Sequence, residues 1–143
     1  MRLSGLRRKG GRNPVKLYDS PRAASPRRVR IFLAEKDVVI ETEPVDIMAG
    51  QHLEEAFTRL NPLQRLPVLV LDDGTVIAES VAICRYFEET HPDPPLFGRN
   101  PKEKALIEMW QRHVEFGLLI PAQQAFRHTH PAMAEWEVPQ IAE

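Results

Sequence analysis

Residues 61–84 read NPLQRLPVLVLDDGTVIAESVAIC. Val68, Leu69, Val70 and Leu71 make an apolar run too brief for a helix and rich in strand formers. Asp73-Gly74 supplies the left-handed residues of a two-residue hairpin turn, and residues 75–78 return antiparallel to the first strand. Glu79-Ser80 then opens an apolar-periodic segment. Ser is a favoured helix cap, because its hydroxyl accepts a backbone N–H of the first turn. The stretch is therefore loop, strand, turn, strand and helix start.

Two of its features point to a ligand. Pro67 stands where the strand begins, so it removes one ladder donor and can take the cis form at modest cost. A turn held there leaves the Leu66 backbone available to pair with an extended peptide, as edge strands do in strand addition. At Glu79-Ser80 a helix N-terminus presents unpaired N–H groups to a carboxylate, and the Glu79 side chain can hold an ammonium. Carboxylate and ammonium together are the two ends of a free amino acid. An ordinary strand start and an ordinary cap account for the same residues, and on chemistry alone both readings stand.

Upstream, residues 15–18 read as a strand, broken by Asp19-Ser20-Pro21. Ser25-Pro26 is a helix start, with Ser as cap and Pro at the first helical position, where its missing N–H costs nothing. Val29, Phe32 and Leu33 follow at helical spacing and define one buried stripe. A second strand is expected over residues 38–45 and a second helix over 51–60. The order strand, helix, strand, helix, strand, strand, helix is that of a thioredoxin-like α/β domain, with the hairpin at the sheet edge. Downstream, HPDPPLFGRNP (residues 91–101) holds too much proline for a helix or strand and reads as a linker. Beyond it Leu106, Met109, Trp110, His113, Gly117 and Ile120 recur at helical spacing until Pro121 kinks or ends the helix. On that stripe His113 reads as a packed core residue.

Across the 143 residues, 43% apolar and 27% charged content is ordinary for a globular protein. No apolar run approaches the roughly 18 residues of a membrane helix. One cysteine excludes an internal disulfide framework and suits a reducing compartment. Cys84, among Ala82, Ile83, Tyr86 and Phe87, reads as a small buried packing residue. The net charge of −1 divides into +5 over residues 1–14 and −6 over the rest, so the body is a poor partner for nucleic acid. The basic arm lacks the apolar core of a secretory signal. It reads as a disordered leader or the product of an upstream-assigned start codon rather than a targeting peptide. His128 and His130, two apart, face different ways on a helix, and no metal site is expected.

The run RLPVLVLDDGTVIAESVAICRYFEE (residues 65–89) resembles the glutathione-binding half of glutathione transferases, and the rest of residues 15–130 fits that family in the right order. The resemblance implies a thioredoxin-like domain over 15–91, a linker over 92–100 and the start of an all-α domain over 101–143. It further implies a site for γ-glutamyl-cysteinyl-glycine as co-substrate. Leu66, beside Pro67, would pair with the cysteinyl backbone, and Glu79 and Ser80 would hold the γ-glutamyl end. This requires Leu66 to face a cleft and the Ser80 hydroxyl to be open. His52 sits in a Gly-x-His context like one in the plant phi class, which implies a contact to the glycyl carboxylate, with Arg22 and Arg65 as helpers.

In these transferases the glutathione thiol lies at the first helix N-terminus, which draws a thiol pKa down, and a protein hydroxyl or thiol supports it. Aligned through Arg27-Arg28-Val29, this chain has Ala23 where the phi class has its catalytic serine. Tyr18 resembles the strand tyrosine that is catalytic in other classes. Ser25 is the preferred activating hydroxyl, although capping also explains it; Ser20, or a water held with His128, are the alternatives. The implied function is attack of a stabilised glutathione thiolate on a small hydrophobic electrophile, in a cytoplasmic, dimeric detoxification enzyme. The rival is a non-catalytic glutathione-binding or docking module. A thiol-disulfide oxidoreductase is disfavoured by the lack of Cys-x-x-Cys. The family's helical bundle outruns the residues after Asn100, and a lone amphipathic helix cannot cover its own apolar side. Either partner chains cover it or the chain is a truncated product of a longer reading frame, the latter preferred.

Overall fold

The computed structural model describes residues 14–134, so the basic arm lies outside the described residues except for Pro14. Four strands form one mixed sheet in the order β2-β1-β3-β4. They are β1 (Lys16–Asp19), β2 (Glu41–Pro44), β3 (Val68–Val70) and β4 (Val76–Ala78). β1 pairs with β2 in parallel and with β3 antiparallel, and β3 pairs with β4 antiparallel. With α1 (Ala24–Glu35), α2 (Glu55–Leu60) and α3 (Ser80–Thr90), this is the expected thioredoxin-like order, the hairpin at one edge.

Alternation along β1 splits the packing between two faces. Tyr18 and Val68, register partners, join Val45 and Phe57 in one cluster with Leu66 and Val70 packed on it. Leu17 and Asp19 point the other way, toward α1, whose Arg30 grips the Asp19 carboxylate. On that side α1 packs along α3, and Val29, Leu33, Ile83, Cys84 and Phe87 are all buried. Cys84 is the small packing residue its neighbours imply, and burial pushes its thiol pKa up to about 12.

Several expected boundaries move, each for a local reason. The hairpin loop has three residues rather than two: Leu71 N–H bonds Thr75 O, and the turn closes with Gly74 N–H on Leu71 O. Of Asp73 and Gly74 only Gly74 is left-handed, at φ 87°, the geometry of a turn followed by a bulge glycine. Residues 38–40 do not join β2. The chain there wraps the end of α1, where Val38 N–H bonds Leu33 O and Asp37 N–H bonds Ala34 O, with Asp37 at φ 52°, a Schellman closure made with Asp instead of Gly. What remains of β2 is exposed along its length and guarded by Lys16, paired with Glu41 at 2.8 Å and Glu43 at 3.2 Å. The expected helix over 51–60 is a 3-10 turn, Gln51–Leu53, then an extended Glu54, then α2.

The described chain divides into two units, Met1–Pro94 and Pro95–Glu143. No helix or strand lies between Thr90 and Pro101. The second unit runs α4 (Pro101–Val114), a π-helical turn (Glu115–Leu119) and α5 (Ile120–Thr129). Pro121 lacks an N–H and would press its ring on the carbonyl four residues back, and the widened turn just before it is how a helix absorbs that. The apolar stripe on these helices is exposed rather than packed. Leu106, Met109, Trp110, Phe116 and Phe126 are all exposed, and so is His113, which overturns its reading as a core residue. Among the described residues no helix is long and apolar enough to cross a membrane.

Candidate functional site

Strand register gathers the candidate residues at one end of the sheet. Val68 pairs with Tyr18 on one side and Ala78 on the other. Leu66-Pro67, entering β3, therefore lies beside Glu79-Ser80, leaving β4, and beside the loop that leads from β1 into α1. β2 runs parallel to β1 with Pro44 opposite Asp19, so the segment carrying His52 departs from the same end. Ser25, His52, Leu66, Pro67, Glu79 and Ser80 come from four separate stretches of sequence, yet each follows or precedes a strand terminus at this end.

The Leu66-Pro67 peptide bond is cis. The Leu66 side chain packs on Val45, Phe57 and Val68. Among the described residues no hydrogen bond engages its backbone N–H or C=O. Asn61 braces this corner from behind, donating to Arg65 O at 2.8 Å and accepting from Leu63 N–H at 3.1 Å.

At the α3 mouth the sequence reading needs correction. Ser80 is not the cap but the first helical residue; Glu79 is the cap, and it makes no side-chain capping bond. Ser80 as a residue is 6% exposed, and Arg28 Nη1 donates to its hydroxyl oxygen at 2.8 Å, so the hydroxyl expected to be open is already engaged as an acceptor. The physical reason is the packing of α1 on α3, which brings an arginine against the helix start. A hydroxyl also owns a hydrogen and a second lone pair, so this contact uses only part of its bonding capacity. Glu79 is exposed and held at φ 71°, ψ 120°, a strained backbone for a residue with a Cβ and of the kind that clusters at ligand sites.

The α1 mouth differs from expectation in the same sense. Ser25 lies inside the first turn, and the cap is Ala23, extended and without a side-chain bond. An alanine cannot cap, and the first helical bond runs from Arg27 N–H to Ala23 O. Among the described residues the N–H groups of Ala24 and Ser25 and the Ser25 hydroxyl have no hydrogen-bond partner. The loop before them is locked. Arg30 Nη1 reaches both Asp19 oxygens at 2.6 and 2.7 Å, and Nη2 donates to Pro21 O at 2.9 Å. Ser20 is buried, with its carbonyl turned to Ala23 N–H. Tyr18 packs edge-on against Phe57, with ring centroids 6.1 Å apart.

His52 is buried rather than solvated. Burial first, and the Arg65 charge second, lower its pKa below the usual imidazole value. Arg22 and Arg65 are exposed. His128, in α5, lies near Gln124 Oε1 at 3.2 Å. The sequence reading missed the work of Arg28 and of the Asp19–Arg30 pair. Only the density of arginines at 27, 28 and 30 on one helix hints at it. Among the described residues no three His, Cys, Asp or Glu side chains gather as a metal site would need.

A four-stranded mixed sheet of this order with its helices is a thioredoxin-like domain. Residues 24–90 match the family model described as the glutathione S-transferase N-terminal domain. In residues 24–90 the chain carries the N-terminal domain of the glutathione S-transferase family. It is 38% identical over 119 residues to glutathione S-transferase 2 of Saccharomyces cerevisiae, a match covering 82% of this chain and 51% of that one. It is 39% identical over 95 residues to the maleylacetoacetate isomerase of Rattus norvegicus, covering 65% and 44%. The crystal structure of a glutathione S-transferase domain-containing protein from Marinobacter aquaeolei superposes with a TM-score of 0.79 at 39% identity, covering 87% of this chain and 63% of that one. The chain thus spans about half the length of the curated relatives it matches.

Proposed function

We propose that this chain binds glutathione at the shared end of its sheet and, as a glutathione transferase, presents the thiolate to a small hydrophobic electrophile. The observation that carries the reading is the Leu66 backbone, unengaged among the described residues and set by register beside Glu79-Ser80. In this reading Leu66 takes the cysteinyl backbone as an added strand would, with Pro67 fixing the corner. Glu79 takes the ammonium and Ser80 the carboxylate of the γ-glutamyl end. The buried, neutral-leaning His52 donates to the glycyl carboxylate, with Arg65 adding charge. The thiol sulfur meets the N–H groups of Ala24 and Ser25, where a helix N-terminus lowers a thiol pKa, and Ser25 supplies the supporting hydroxyl. No metal enters this chemistry. Cytoplasmic location, a homodimer and detoxification belong to the same reading, as properties expected of the longer family members.

Retention on immobilised glutathione tests the binding step. Folded wild-type protein should be retained and Glu79→Ala released, while a folded wild type that flows through defeats the proposal. Conjugation of an aromatic halide tests the chemistry; full activity in Ser25→Ala would remove Ser25 from its role. A second reading, a glutathione-binding or docking module without turnover, is favoured by Ala23 at the cap of α1. It predicts retention with no conjugation.

A further inference from the structure

Ser80 is not bonded like an ordinary serine at a helix start. A capping serine spends its oxygen as acceptor for a backbone N–H. Here Ser80 follows the cap, and its oxygen accepts from the Arg28 guanidinium instead. A hydroxyl has one hydrogen and two acceptor lone pairs. With a cation donating into the oxygen, the O–H bond must point away from that cation, and its hydrogen remains to be given. The neighbouring charge also polarises the O–H and makes it a stronger donor. Arg28 lies one turn beyond Ser25 on the same face of α1, so its guanidinium bridges the starts of the two helices. Its positive charge also reaches the Cys84 thiol, one turn into α3.

We infer that Arg28 is a positioning residue which, through the hydrogen bond to Ser80, fixes that hydroxyl as a donor to the α-carboxylate of the γ-glutamyl group. This rests on the glutathione reading and adds a residue to it. Arg28 need not touch the ligand; it decides which way the serine that does touch it is turned. Without Arg28 the rotor is free to turn and accept a first-turn N–H, as a cap does, and the carboxylate loses its donor.

The test is calorimetric titration of the full chain with glutathione and with 4-aminobutyryl-cysteinyl-glycine, which lacks only that carboxylate. Wild type should prefer glutathione by about tenfold or more, the size of one charge-assisted hydrogen bond. In Arg28→Met the preference should collapse toward one while the analogue still binds as before. Ser80→Ala should do the same, and the double variant should lose nothing further. A structural role for Arg28 would instead weaken both ligands equally and leave the ratio intact, which overturns the inference. If Arg28→Met fails to melt cooperatively, Arg28→Gln gives the ratio. There a drop of at least about threefold supports the positioning role, and an unchanged ratio refutes it. Wild-type protein that is folded and binds neither ligand sinks the glutathione reading itself, whereas a ratio kept in both Arg28 variants but lost in Ser80→Ala sinks Arg28 alone.

Discussion

His52 shows how a single side chain reports its surroundings. Its pKa is lowered from 6.5, first by burial and then by the Arg65 charge. Below 6.5 the unfolded chain therefore takes up the proton before the folded one does, and stability declines as pH falls through the window between 6.5 and the lower folded value. Above 6.5 that contribution is fully present. His52→Gln should flatten this part of the curve of urea stability against pH. Arg65→Met should raise the folded pKa, though not to 6.5, because the larger cause remains; an NMR titration of the imidazole reads both. The identity of His52 as a candidate was legible from its Gly-x-His context, but its burial was not, since no local pattern says what a 3-10 turn will be packed against. Ser25 and Ser80 tell the same story. Sequence marks them as residues at helix starts, and a shift of two positions at α1 and one at α3 turns two expected caps into first-turn residues. That shift follows from Ala23 and Glu79 adopting extended or strained backbone. Arg28 had no legible role, because its partner is 52 residues away.

Among elements, order and type were readable because each carries a local cause: the apolar run of β3, Gly74 after Asp73, the Val29–Phe32–Leu33 stripe of α1. Long-range fastenings were not. Lys36, the C-cap of α1, is fully buried against Glu88 of α3, and its ammonium also donates to His91 O at 2.7 Å and Pro94 O at 2.6 Å. Two carbonyls accept from the ammonium and the Glu88 carboxylate lies in ion-pair contact with it, so the buried charge is matched. Lys36→Met strands Glu88 and two carbonyls and should cost about 3–5 kcal/mol in urea unfolding. Adding Glu88→Leu should recover part of that loss, and a strictly additive double variant would show that the pair is not coupled. In the second unit the start of α4 is fixed by bonds between Glu103 and the two residues before the helix. Asn100 Oδ1 accepts Glu103 N–H at 2.9 Å, and Glu103 Oε2 accepts Arg99 N–H at 2.8 Å. Gly98, at φ 94°, lies so close that an added Cβ would stand 2.8 Å from Lys104 N. Gly98→Ala should cost about 1–2 kcal/mol from its backbone conformation alone, with the collision added. Faster amide exchange at Glu103 would register it, and unchanged exchange would contradict the assignment.

At the level of the whole chain, the buried apolar core described here lies in one of the two units. Every buried apolar residue among those described, from Leu17 to Phe87, lies in Met1–Pro94, as do all the residues proposed to hold glutathione. In the second unit Trp110, Phe116 and Leu118 are each at least 60% exposed, and helices with such faces gain little of the packing that stabilises most helices in proteins. The sequence reading anticipated an amphipathic helix whose apolar side it could not cover alone, and erred in placing His113 in a core, since periodicity records that a face is apolar and not what covers it. A chain ended after Pro95 separates the two contributions, and it keeps the Pro94 carbonyl used by Lys36 as a peptide carbonyl. It should unfold cooperatively in urea, because its core and its Lys36–Glu88 fastening are complete. It should also keep the glutathione affinity of the full chain. Binding of an apolar dye should fall with the removed helices. A fragment that folds but no longer binds glutathione would mean that the second unit contributes to the tripeptide site, and the assignment of that site to residues 24–90 would have to be given up.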